Sequence, residues 1–141
     1  MRTSLAVLTL SLLVAPLAAQ ERTLTPAAAK TAAQFYARYR ATLQTAQTVG
    51  DVADFWSDNL RSALKALRIP NVSTDIRSLR LAYPTIGVKV VRSVPIDSRA
   101  VRVFLEGTSL VHGTKGAGSV VVTQENGTWK VAEMEGWTFQ S

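Results

Sequence analysis

The 141-residue sequence contains no cysteine and a single histidine. Without cysteine there is no disulfide, no thiolate metal site and no lipid attached through a cysteine, so stability has to come from burial. His112 alone cannot build a multi-histidine zinc site, and we expect neither metal nor cofactor. Acidic residues are few: 10 Asp and Glu stand against 16 Lys and Arg, a formal net charge of +6. Internal repeats and glycine-rich phosphate loops are missing. So is a Gly-x-Ser-x-Gly nucleophile turn, which Gly116-Ala-Gly-Ser-Val120 does not match. Long apolar runs are confined to the N-terminus.

That terminus has the three parts of an export signal in order. Arg2 is the positive start, Leu5 to Val14 form an apolar stretch broken only by Thr9 and Ser11, and Pro16 ends it before Leu17-Ala18-Ala19. We expect cleavage near Ala19, a periplasmic or secreted product, and one domain over residues 20–141. The stretch is too short to span a bilayer core of roughly 30 Å, and no later segment is apolar enough, so no membrane anchor is expected. Loss of Arg2 leaves fifteen basic and ten acidic residues, a net charge of +5. These charges are spread out. Arg61, Lys65 and Arg68 share one helical face, Arg99 and Arg102 begin a strand, and no aromatics interleave with them, so a nucleic-acid partner is not expected.

The mature chain divides into a helical half and a strand half. Thr25-Pro26 opens a helix with a capping hydroxyl and a proline at the first helical position. Ala32, Tyr36, Tyr39, Leu43 and Ala46 then recur at steps of four and three as one apolar stripe to about Gln47, with Lys30, Arg38 and Arg40 off it. Gly50-Asp51 breaks the pattern, and Asp51 can cap a short turn through Phe55. Ser57 or Asp58 can cap a further helix with Leu60, Leu64 and Leu67 as its buried face, ended by Ile69-Pro70-Asn71. Asp75 to Tyr83 reads as a connector into an edge strand. From Thr85 the period is two: Ile86, Val88 and Val90, then Val101, Val103 and Leu105 in a strand expected to bulge near Gly107. Ser119 to Gln124 forms another strand, Asn126-Gly127 is a hairpin signal, and Trp129 to Phe139 is the last strand. Helices followed by four strands on short turns imply an α+β domain, with helices on one face of an antiparallel sheet of about four strands.

A long first helix with the aromatic pair Phe35-Tyr36, two shorter helices, and a hairpin-rich sheet ending in Gly127-Thr-Trp-Lys-Val131 together resemble the nuclear transport factor 2-like superfamily. The resemblance covers nearly all of the mature chain. It implies a curved antiparallel sheet wrapping the helices into a cone with an apolar pocket. Cystatin-like domains are the competing architecture, but they have one main helix, whereas Asp51 to Leu67 adds a second helical layer. The superfamily holds isomerases, dehydratases, ligand binders and dimerisation modules, so the resemblance implies no single activity.

The last strand carries an anomaly. Trp129, Val131, Glu133, Glu135, Trp137 and Phe139 share parity, so an unbroken strand would set two carboxylates on an apolar face. Either Glu133 or Glu135 then enters the cone as a general base or ligand anchor, or a bulge near Glu135-Gly136 returns them to solvent. Tyr36, Tyr39 and Trp56 are the expected walls of the ligand pocket, as rings with a hydrogen-bonding tip. His112 is expected at the surface. Asn71-Val-Ser73 and Asn126-Gly-Thr128 fit the N-glycosylation pattern, the second being better explained as turn chemistry. The leading expectation is a non-catalytic exported domain that binds a small apolar ligand or a partner protein. The alternative is an isomerase- or dehydratase-like enzyme with Glu133 or Glu135 as base. A homodimer through an outer sheet face containing Phe104 and Val121 is a third possibility.

Overall fold

A computed structural model of the chain describes residues 23–69 and 71–141. The expected export signal, with its cleavage near Ala19, lies outside the described residues. Four helices precede five strands among them: α1 (Pro26–Thr45), α2 (Gly50–Ala53), α3 (Asp58–Ala66), α4 (Ile76–Leu81), then β1 (Thr85–Pro95), β2 (Ala100–Ser109), β3 (Lys115–Glu125), β4 (Thr128–Val131) and β5 (Gly136–Phe139).

The helix starts follow the capping chemistry of the sequence. Thr25 Oγ1 accepts from Ala28 N at 3.1 Å, and Ser57 Oγ accepts from Leu60 N at 3.0 Å. Each satisfies an N–H that has no partner within its own helix. The segment expected as a connector from Asp75 contains α4 instead. Asp75 accepts from Ser78 N at 3.1 Å, and Leu79 is buried. With one fully buried residue in six, α4 is too short to show a helical period in sequence. It also finishes α1, because Arg80 donates to the carbonyl oxygens of Leu43, Gln44 and Ala46 at its C-terminal end.

The sheet is antiparallel in the order β1-β2-β3, and both β4 and β5 pair with β3. The expected final strand is therefore two strands, and the sheet has five rather than four. Val131 pairs with Val122 and Gly136 with Ser119, so Ala132 to Glu135 stand opposite only Val120 and Val121. Asn126 and Gly127, at φ 52° and 76°, make the tight turn into β4, a conformation that favours Asn-Gly. The irregularity expected near Gly107 lies on the neighbouring strand. Gly107 pairs regularly with Gly116, while β1 shifts register between Ile86 and Lys89 and again between Val90 and Arg92.

Val101, Val103, Leu105, Val120, Val122 and Val131 form one buried face of the sheet. Against it pack Tyr36, Tyr39 and Leu43 of α1, Leu60 and Leu64 of α3, and Leu79 of α4. Each fully buried Val or Leu contributes about 1.5–3 kcal/mol. The chain just before α3 also closes the free edge of β4: Val131 N donates to Phe55 O at 2.7 Å and Ser57 N to Val131 O at 3.0 Å. The described residues thus form an α+β domain with its helices on one face of an antiparallel sheet. No helix among them is long and apolar enough to cross a membrane.

Candidate functional site

The two extra residues between β4 and β5 decide the fate of the two carboxylates. Shared parity predicts one face for both, but parity holds only along a regular strand. Glu133 turns outward with its side chain 48% exposed, and its Oε1 accepts from Val121 N at 3.1 Å. It thereby supplies the acceptor that the interrupted ladder lacks. Arg102 Nη1 stands 4.0 Å from the same oxygen, at an exposed distance that contributes little. Glu135 turns inward, its side chain 3% exposed.

Three donors from two elements meet Glu135. Tyr36 and Arg40, one helical turn apart on α1, approach Oε2: the Tyr36 hydroxyl donates to it, and Arg40 Nε lies 3.3 Å away. From β5, Trp137 Nε1 donates to Oε1 at 3.0 Å. The indole lies across the glycine positions of β2 and β3. A Cβ at Gly118 would stand 2.7 Å from its Cδ2, and one at Gly107 would stand 2.9 Å from its Cη2.

Arg40 is only 6% exposed, which corrects its expected place off the apolar stripe. Its Nη2 donates to Thr85 O at 3.2 Å and to Thr85 Oγ1 at 3.1 Å, and its Cζ sits 5.1 Å from the centre of the Tyr83 ring. Although Nε is close to Glu135, its N–H is not directed at the carboxylate and makes no hydrogen bond. The contact is therefore an attraction between charges, with that donor left unanswered. Nη1 likewise has no hydrogen-bond partner among the described residues, although, unlike Nε, it is not fully enclosed.

Beside this cluster, between α1 and β1, lies a cavity of about 130 Å³. Tyr36, Ala37, Arg40, Ala41 and Gln44 line it from the helix, and Val88 and Val90 from the strand. Val88 lies within the first register shift of β1 and Val90 at the start of the second, so this wall is formed where the strand departs from regular pairing. Burial, and next the neighbouring Glu135 charge, hold the Tyr36 hydroxyl well above its ordinary value, so it stays a protonated donor.

Of the expected pocket residues, only Tyr36 and Glu135 come together. Tyr39 and Trp56 instead belong to a closed chain within the core. Trp56 Nε1 donates to Tyr39 OH at 3.1 Å, and Tyr39 OH donates to Tyr83 OH at 2.7 Å. Burial pushes Tyr39 up to about 12. Glu133 lies outside, and His112 is exposed in the turn between β2 and β3. Arg40, Thr85 and Val88 were not expected here. The available signal was the i, i+4 spacing of Tyr36 and Arg40, which puts them on one helical face. On the outer face of the sheet, Phe104 is half-buried with the Arg92 guanidinium 4.0 Å from its ring centre, and Val121 is half-buried as well.

Fold and site together define an α+β domain with a buried Tyr–Glu–Arg–Trp cluster beside a small cavity. Compared with known protein families, curated protein sequences and solved structures, the chain has no match in any of the three.

Proposed function

We propose that the chain is an exported, non-catalytic binding domain of the nuclear transport factor 2-like type, and that it holds a small, largely apolar ligand between α1 and β1. One observation carries the binding reading. Glu135, the inward carboxylate, has both oxygens taken up by protein donors, while the adjoining cavity has Val88, Val90, Ala37 and Ala41 among its walls, beside Tyr36, Arg40 and Gln44. A general base has to be within reach of a substrate and able to accept its proton. Glu135 would first have to leave Tyr36, Trp137 and Arg40, which makes the isomerase- or dehydratase-like alternative the weaker reading. The cavity is close in size to those of about 150 Å³ that take up benzene.

Helices confined to one face of an antiparallel sheet support the cone architecture, and four helices rather than one favour it over a cystatin-like domain. For a homodimer through the outer sheet face there is less support, since Arg92 covers Phe104 there. Titrating ¹⁵N-labelled protein with benzene tests the binding reading. The amides of Ala37, Ala41, Val88 and Val90 should shift together and saturate; no shift at these positions rejects it. Export is tested by the intact mass of the periplasmic protein, expected to begin at or near Gln20. A chain retained in the cytoplasm with residues 1–19 attached would reject that part.

A further inference from the structure

Arg40 is more than nine-tenths buried, borders the cavity, and has more donors than the protein answers. Both Nη2 donations go to Thr85. Nε is fully enclosed, and Nη1 is the donor that has no partner among the described residues and is not fully enclosed. An apolar guest seated against Arg40 would cut Nη1 off from water and leave it without an acceptor, which is costly, whereas an acceptor on the guest removes that cost. The charge balance restricts what this ligand can be. The positive charge of Arg40 is already met by Glu135 3.3 Å away, and Tyr36 is held in its neutral form. An anion would gain little from a neutralised guanidinium and would be repelled by Glu135. The remaining walls are methyl groups of Ala37, Ala41, Val88 and Val90, with the exposed Gln44 adding one uncharged amide. They favour a neutral, mostly apolar body.

We infer that the cavity is selective for a small neutral molecule with an apolar body and one hydrogen-bond acceptor, such as a carbonyl or ether oxygen, that meets the Arg40 guanidinium. This rests on the binding reading above and adds the class of ligand. It also gives Nη1 of Arg40 an acceptor that a purely apolar guest would not supply. A hydrogen bond to a charged donor contributes about 1.5–3 kcal/mol, so the acceptor should raise affinity by about ten-fold or more.

The test compares three probes of similar size on the ¹⁵N-labelled protein: cyclopentanone as the neutral acceptor, benzene as the apolar guest and butyrate as the anion. Cyclopentanone should bind at least about ten-fold more tightly than benzene and should move the Arg40 Nε–H resonance, which benzene leaves in place. Equal affinity for benzene and cyclopentanone, with no movement of that resonance, overturns the acceptor but leaves the binding reading standing. Tighter binding of butyrate overturns the neutral class. Failure of all three probes rejects both readings at once. Ala41→Phe, at an exposed position of α1 that borders the cavity, should abolish cyclopentanone binding while the circular dichroism spectrum stays unchanged. Binding that survives this change in a folded protein places the site elsewhere and overturns the inference.

Discussion

Glu135 and Arg40 are each inexpensive in water and costly in a protein interior, and here each is the main reason the other can be buried. Removing one partner of a buried pair leaves an uncompensated charge, whereas removing both leaves none. We therefore expect Glu135→Leu to destabilise the protein by about 3–5 kcal/mol, with Arg40→Met in the same background recovering a large part of the loss. Urea unfolding of the two single variants and the double gives the coupling directly. A double variant no more stable than Glu135→Leu would show that the two charges are not coupled. Only half of this pair was legible in the sequence. Glu135 stands out as an acid at an apolar parity position, but so does Glu133, and nothing local separates them. Arg40 looks like a solvated helix residue because the apolar stripe passes beside it. Its partners, Thr85 and Glu135, are 45 and 95 positions further along the chain.

Among the elements, the segment between β4 and β5 has the largest consequence. Two extra residues opposite Val120 and Val121 send Glu133 out and Glu135 in while keeping Val131, Trp137 and Phe139 on the helix side. β5 then holds the indole against glycines of two neighbouring strands. Gly107 and Gly118 have no positive φ, so their lack of a side chain serves clearance rather than backbone conformation. Gly118→Ala would place a Cβ 2.7 Å from the indole and 2.9 Å from Gly136 O, and the carbonyl cannot rotate away as a side chain could. The expected result is a loss of about 1–3 kcal/mol together with a changed tryptophan emission, read from thermal melts and fluorescence. A variant that melts with the wild type would mean that the strand shifts freely. Helix starts at Thr25 and Ser57 and the Asn126-Gly127 turn were readable because caps and tight turns are decided within three or four residues. α4 was not, since it depends on Leu79 finding the core.

For the molecule as a whole, the three tyrosines of the sequence, Tyr36, Tyr39 and Tyr83, all belong to the buried interior. Burial, with contributions from neighbouring groups, raises each of them above the ordinary tyrosine value of 10.0. The unfolded chain loses these protons near pH 10, while the folded protein keeps them. Above that pH the unfolded state thus binds fewer protons, and stability falls as pH rises. The stabilisation is complete below about pH 10 and disappears as the pH passes through the folded values, about 12 for Tyr39. Alkaline titration should therefore show no tyrosinate absorbance around pH 10, followed by a single cooperative rise that coincides with loss of circular dichroism. An early rise equivalent to one tyrosine in a still-folded protein would contradict this placement.

The sequence by itself determined the features that neighbouring residues decide. These are the α+β class, the order of helices before strands, the apolar face of each element, and the capped starts of α1 and α3. Tertiary structure decided which carboxylate is buried, that Arg40 is its partner, that Tyr39 and Trp56 bond to each other within the core, and that a cavity opens between α1 and β1. The physical reason is range. Capping, turn chemistry and periodicity act over a few residues, whereas the charge of Glu135 is answered by a helix almost a hundred residues away, brought into register only when the sheet closes over it.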